Sequence, residues 1–458
     1  SSDFIMRVAF HTLGCKLNYS ETSTIGRQFT DRGFSVVGFD QPSDVYVLNT
    51  CSVTERADRE CRQLIRRALR TAPDAFVIVT GCYAQLQPGE IAAIDGVDLI
   101  LGTHEKFRIF DHASEFKKRH LPQVFVSCID EAADFLPASS AEFGSRTRAF
   151  LKVQDGCDFP CAFCTIPLAR GSSRSQPLNE VLAAAHTIAG QGYKEIVLTG
   201  VNVGDYGKHA DSSLLDLVRA LDRVDGIERI RISSIEPNLL TTGLIDFVLS
   251  SEKFCNHFHI PLQSGSDRIL GLMRRRYRAA DYRRVVEYIK RHDPDAGIGA
   301  DVISGFPGES DQLFEETCRF VADLPVTYLH AFTYSERDDT AALGLPDPVS
   351  PSVRFARTER MRELGSKIRR SFLDRFTGRT LPILVEGSVD GDAMSGLATN
   401  YIRVHVVASP RPVNTIQHVR ITGTEPESCR GIWSPISSFN KHSIRNYSNQ
   451  EVVFIHNP

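Results

Sequence analysis

No stretch of the 458 residues approaches about eighteen consecutive apolar positions, so the sequence offers no candidate membrane-spanning helix. The run from Ser1 to Arg7 also lacks a basic segment followed by an apolar one, and the chain reads as cytoplasmic, with no membrane partner. Net charge is slight, at -3, which removes any global sign of nucleic-acid binding and confines that activity to local patches. An even complement of cysteines is missing as well. Eleven thiols cannot form a complete disulfide framework, and a reducing compartment disfavours one, so metal binding is the better default. What is present is ordinary for a globular protein: 42% hydrophobic and 24% charged residues, in a chain long enough for about two to four domains.

The texture changes along the chain. Over residues 1–130, β-rich runs (Val8 to His11, Val45 to Asn49, Phe76 to Thr80, Asp98 to Leu101) alternate with amphipathic stretches such as Glu21 to Arg32 and Thr54 to Arg70, predicting a parallel α/β sheet. A polar Ser- and Ala-rich stretch at 131–148 reads as a linker. Residues 149–377 hold six further candidate strands, Phe150 to Val153, Glu195 to Leu198, Ile230 to Ser233, Phe258 to Leu262, Gly297 to Ile303 and Tyr328 to Phe332. Their spacing of 28 to 45 residues suits a partial (β/α)6 barrel, open on one side. Residues 378–430, with runs Leu381 to Glu386, Tyr401 to Val407 and Thr415 to Ile421 and a turn signal at Asp390-Gly391, predict a small antiparallel β-barrel. The tail, 431–458, shows no clear period.

Cys157, Cys161 and Cys164 place three thiols within eight residues, directly after the first barrel strand. Thiolates are the usual ligands of iron-sulfur clusters, and a loop this short can wrap one face of a cubane. Three ligands leave one iron open to chelate the amino and carboxylate groups of S-adenosylmethionine and to deliver an electron to its sulfonium. Zinc is the competing reading, but a structural zinc site wants four ligands and no matching second CxxC pair occurs. Cys15, Cys51 and Cys82 form a second constellation. Each sits just past the carboxyl end of a predicted parallel strand, where ligand sites of open α/β sheets collect, so the three converge on one edge. A single such cysteine reads as a small core residue; three at equivalent positions read as a site. Cys61, Cys128, Cys255, Cys318 and Cys429 have no such placement and read as structural.

These six cysteines, with HTLGCKLNYSET, NTCSVTERAD, VTGCYAQ and KVQDGCDFPCAFCTIPLARG around them, resemble the methylthiotransferase family of radical S-adenosylmethionine enzymes from about Val8 to Ile421. The resemblance implies an N-terminal methylthiotransferase domain, a radical-SAM barrel and a C-terminal TRAM module that binds RNA. It also implies two [4Fe-4S] clusters, on Cys15/Cys51/Cys82 and Cys157/Cys161/Cys164. Thr12 to Asn18 looks like the branch acting on threonylcarbamoyladenosine at position 37 in the tRNA anticodon stem-loop; Lys16-Leu17 fits neither the isopentenyladenosine branch nor the branch modifying a ribosomal-protein aspartate. The implied partners are tRNA, an electron donor such as flavodoxin or ferredoxin, and a sulfur donor. One S-adenosylmethionine would methylate sulfur carried at the first cluster, and a second would yield the radical that removes hydrogen from adenine C2. A non-catalytic cluster carrier or RNA-binding protein is the rival of another class.

A cofactor pocket in such a barrel lies at the carboxyl ends of the strands. That makes Thr199, Gly200, Ser234, Glu236, Gln263, Asp301 and Ile303 the candidates for S-adenosylmethionine, against a reading as turn and cap residues. Arg56, close after Cys51, is the candidate for the threonyl carboxylate, against a surface ion pair. Between Arg354 and Arg379 lie nine Lys/Arg and three Asp/Glu. Arg369 and Arg370 in that segment, and Arg403 in the C-terminal module, are the candidate phosphate contacts, the alternative being a solvated helix face.

Overall fold

β-branched and aliphatic runs make the first sheet. In this computed structural model, which describes residues 5–129, 134–141, 147–389, 393–407 and 410–434, it comprises β1 (Arg7–Thr12), β2 (Ser35–Val37), β3 (Val45–Thr50), β4 (Phe76–Gly81), β5 (Leu99–Leu101) and β6 (Gln123–Phe125). The order is β2-β1-β3-β4-β5-β6, every pair parallel. β3 and β4 are buried end to end because α1 (Lys16–Thr30) packs Ile25 and Phe29 on one face while α2 (Glu55–Thr71) packs Leu64, Ile65 and Ala68 on the other. β2 and β6 are three-residue edge strands outside the runs expected from the sequence.

The second module has β7 (Arg148–Lys152), the short pair β8 (Gln154–Asp155) and β9 (Arg174–Ser175), then β10 (Glu195–Thr199), β11 (Arg229–Ile232), β12 (His257–His259), β13 (Gly297–Ser304) and β14 (Tyr328–Thr333). The sheets β11-β10-β7 and β12-β13-β14 are joined by parallel bridges at Ile230–Phe254 and Ser234–His259, giving six parallel strands around an open barrel. The first module straddles the gap between β7 and β14. Tyr19 of α1 meets Phe150 of β7 edge-on at 5.7 Å, while Arg337, beyond β14, bonds Ser52 and Asp58 at 2.7 and 2.6 Å.

The third module is a closed barrel, β15-β16-β17-β19-β18, made of β15 (Thr380–Val389), β16 (Ala393–Ala398), β17 (Arg403–Val407), β18 (Ile416–Thr424) and β19 (Cys429–Trp433). It departs from the expected antiparallel barrel in one pairing, because β17 and β19 run parallel. β19 also carries the module to Trp433, past the expected boundary at 430. The turn signal at Asp390-Gly391 lies outside the described residues. The expected linker is in part built structure: Ser139 bridges Leu151 of β7 antiparallel, and Arg27 of α1 donates to Ser139 O and Ala141 O.

A buried charge cluster joins the first two modules. Glu21 of α1 meets Lys106 Nζ at 2.7 Å, Lys152 Nζ at 3.1 Å and Arg170 Nη1 at 3.0 Å; Asp155 meets Lys152 at 2.6 Å and Arg170 at 2.9 Å. No member is more than 5% exposed. Removing one partner from such a set leaves charges uncompensated in a dry interior, at a cost of about 3–5 kcal/mol. Glu21→Gln is therefore expected to lower unfolding free energy by about that amount, while Arg59→Ala, in an exposed pair with Glu55, moves it by less than about 0.5 kcal/mol. Denaturant titration checks this, and similar effects for both variants would contradict it.

Candidate active site

Adjacent parallel strands deliver the first thiol set. Cys15 caps α1 after β1, Cys51 follows β3, and Cys82 opens the short helix Cys82–Leu86 after β4. Since β1, β3 and β4 are neighbours, their carboxyl ends are adjacent. Gly14 lets the loop close. Its φ is +96°, and a Cβ there would lie 2.7 Å from Cys51 Cβ and 2.8 Å from Cys51 Sγ. Burial pushes the Cys51 thiol up to about 12, with Cys82 and Cys15 adding to the rise, so the three sulfurs sense one another. Cys15 is raised too, by burial first, although the residue is exposed to solvent, as a thiol facing a protein-walled recess is.

The second set occupies the loop between β8 and the helix Ile166–Arg170. Backbone N–H groups of Phe159 and Ile166 donate to the sulfurs of Cys157 and Cys164, each at 3.4 Å. Arg275 Nη1 donates to Cys161 Sγ at 3.1 Å while its guanidinium pairs with Glu236 and bonds Tyr277 Oη at 3.1 Å. Arg275 is a site residue that sequence reasoning missed. It lies 114 positions from Cys161, and only the fold brings the two together. The two loops touch. Thr165 Oγ1 donates to Ser52 O at 3.4 Å, joining the residue after Cys164 to the residue after Cys51.

The donor sets fit iron-sulfur clusters better than single ions. Three thiols to a set fall one short of the four ligands a closed zinc site takes, and thiolates are the usual ligands of iron-sulfur clusters. Among the described residues, His259, Asp301 and His330 hold their ligand atoms within 4.8 Å of one another.

The seven strand-end candidates divide. Thr199 Oγ1 and Gln263 Oε1 are buried without a hydrogen-bond partner, the condition in which a polar ligand is wanted. Gly200 serves a close approach, since a Cβ there would meet Gln154 at 2.8 Å. Ser234 Oγ reaches His259 Nδ1 at 3.5 Å, and Glu236 is held by Arg275. Asp301 accepts from His259 at 2.9 Å and His330 at 3.1 Å. Despite the opposing effect of burial, those imidazoles hold its carboxyl well below the usual range. Ile303 packs beside Phe306 and Tyr334.

The candidate substrate contacts fare differently. Arg56 is exposed in the first turn of α2. Arg369 is buried and donates to Tyr401 O at 3.1 Å, so it is an internal strut and not a phosphate contact on the surface. Arg370 pairs with Asp374, and Arg403 with Glu386. Of the basic run from Arg354 to Arg379, Lys367 alone has no partner among the described residues; the helix Pro351–Asp374 turns its arginines to carboxylates and carbonyls of this chain. Cys61, Cys255, Cys318 and Cys429 are buried as expected of structural thiols, but Cys128 is exposed.

Two family models match the chain: uncharacterized protein family UPF0004 over residues 7–102 and the Radical SAM superfamily over residues 151–321. The threonylcarbamoyladenosine tRNA methylthiotransferase MtaB of Bacillus subtilis is 39% identical over 90% of this chain and 93% of its own length. That of Aquifex aeolicus is 40% identical over 83% and 93%. A tRNA-2-methylthio-N(6)-dimethylallyladenosine synthase from Syntrophotalea carbinolica is 34% identical over 90% and 96%. The solved radical S-adenosylmethionine methyltransferase TsrM of Kitasatospora setae shares the fold, with a TM-score of 0.51 at 14% identity over 72% of this chain and 75% of that one.

Because a Cβ at position 14 must displace Cys51, Gly14→Ala is expected to lose the iron of the first triad only. After anaerobic reconstitution its iron per chain should match that of a Cys15/Cys51/Cys82 triple Ala variant. Iron equal to wild type would show that the recess tolerates the methyl group.

Proposed function

The chain belongs to the radical S-adenosylmethionine methylthiotransferase family, on the MtaB branch, and we infer that it inserts a methylthio group at C2 of N6-L-threonylcarbamoyladenosine 37 in tRNA. The observation that carries this reading is the contact of Thr165 with Ser52, which brings the loop of Cys157, Cys161 and Cys164 against the Cys51 loop of the other module. C2 of adenine bears an unactivated C–H bond, so general acid or base chemistry has little to act on there. Two sulfur-ligated centres beside one substrate position answer that difficulty: when bound, one with S-adenosylmethionine supplies a one-electron cleavage that generates a hydrogen-abstracting radical, and the other supplies the methylated sulfur.

The chain's own residues hold and orient these groups. In this reading Cys157, Cys161 and Cys164 hold the radical-generating cluster, and Cys15, Cys51 and Cys82 the second. Arg275 fixes the Cys161 sulfur and Glu236 together. Thr199 and Gln263, at the carboxyl ends of the barrel strands, offer their unsatisfied oxygens to S-adenosylmethionine. The module over the gap between β7 and β14 limits access of water to the lumen, which protects a radical from quenching. An electron donor such as flavodoxin or ferredoxin and a sulfur donor complete the cycle, and the C-terminal barrel serves tRNA. No helix among the described residues is long and apolar enough to cross a membrane.

Mass spectrometry of nucleosides from a strain lacking the protein should show threonylcarbamoyladenosine without its 2-methylthio form. Loss of the methylthio group from isopentenyladenosine or from a ribosomal-protein aspartate instead would reassign the substrate. In vitro, the Cys157/Cys161/Cys164 triple Ala variant should keep about half the wild-type iron and release no 5′-deoxyadenosine with dithionite and S-adenosylmethionine. A variant that still released it would place the radical chemistry elsewhere.

A further inference from the structure

Among the described residues, each arginine around the lower end of the open barrel has a hydrogen-bonding partner inside the protein, whereas one lysine there has none. Arg148 pairs with Glu386 at 2.7 Å, Arg231 with Glu195 at 3.0 Å and Arg403 with Glu386 at 2.8 Å, while Arg369 donates to main-chain carbonyls. Lys16 makes no ion pair or hydrogen bond among the described residues, and its ammonium stands 5.9 Å from the centroid of the Tyr401 ring. It is the first residue of α1, directly after Cys15. That helix starts with no side-chain cap and no acidic residue in its first turn, so its free N–H groups and the ammonium add to one positive field.

We propose that Lys16 binds the carboxylate of the threonylcarbamoyl group and so selects this adenosine over those with an apolar N6 substituent. The inference rests on the substrate reading given above and names the residue that enforces it. In adenine, C2 and C6 flank N1, so a base whose C2 faces the sulfur set at Cys15 carries its N6 substituent on the neighbouring edge. Lys16 is the next residue of the chain. The Tyr401 ring, stacked on His257 at 4.4 Å, stands beside the ammonium as an aromatic wall. Arg56, exposed on α2, has no comparable position.

The test compares two anticodon stem-loop RNAs, one with threonylcarbamoyladenosine at position 37 and one with its carboxylate masked as the methyl ester, in reconstituted wild type, Lys16→Gln and Lys16→Arg. On the free acid, Lys16→Gln should lose at least about tenfold in kcat/KM with iron content unchanged, and Lys16→Arg should retain most of the activity. On the ester, wild type should fall by a similar factor while Lys16→Gln changes little from its value on the acid. Equal losses for Lys16→Gln on acid and ester would overturn the proposal, since a merely structural lysine affects both alike. If Lys16→Gln fails to hold iron, the wild-type and Lys16→Arg ratios of acid to ester decide: a ratio near one in wild type removes the carboxylate subsite. Wild type that methylthiolates neither RNA overturns the substrate reading itself, a result distinct from any pattern among the variants.

Discussion

The position of the two cysteine loops depends on one buried guanidinium. Arg170 closes the helix that follows Cys164, and it bonds Asn18 at 2.6 Å and Glu21 at 3.0 Å on α1, the helix that begins after Cys15. Its other contact is Asp155, two residues before Cys157, at 2.9 Å. One planar donor group thus ties the helix that begins after Cys15 to both ends of the loop carrying the second set. A fork of fixed donors sets angle as well as distance, which a lysine ammonium does not. The cysteine sets of the two modules are thereby held in one mutual register, whereas a hydrophobic interface of similar area leaves more freedom to slide.

The same cluster carries an imbalance that makes sense only beside the thiols. Lys106, Lys152 and Arg170, with Arg174 at 3.9 Å from Asp155, face two carboxylates, Glu21 and Asp155, so positive charge is in excess at this buried site. Buried charge without compensation is costly. Arg170 interacts electrostatically with Cys15, Cys51 and Cys82, and in the function proposed above these thiols give up their protons to hold a metal cluster. The surplus cation therefore meets its counter-charge when the sulfurs become thiolates, so the interface between modules and the cysteine set favour each other.

Much of this was legible in the sequence because its signals are local or repeat with the strand period. The six barrel strands stand where Phe150, Glu195, Ile230, Phe258, Gly297 and Tyr328 placed them, and the cysteines after β1, β3 and β4 followed from strand ends alone. The parallel pairing of β17 with β19 did not show, since pairing direction in a small barrel depends on how the chain crosses it and not on alternation. Arg275 and Arg170 were invisible as site residues because their partners lie more than a hundred positions away, at Cys161 and at Glu21. The basic run of Arg354 to Arg379 misled for a related reason: net charge along a helix counts Arg357 and Arg369 as available, whereas Glu309 and the carbonyl of Tyr401 hold them.

Those internal arginines alter what the C-terminal barrel can do. Arg229 donates to Leu397 O and Pro382 O, and Arg231 to Thr399 O and Ala398 O, so two side chains from the start of β11 grip the end of β16 from within the barrel lumen. The backbone of Asn400 comes so close to Gly297 that a Cβ there would lie 2.2 Å from its carbonyl oxygen. The small barrel is thereby fixed as a stopper at the amino ends of the strands, the end opposite the cysteine loops. A module held by buried, fully engaged guanidinium groups does not swing on a linker, and its position relative to the two thiol sets is as fixed as that of β11.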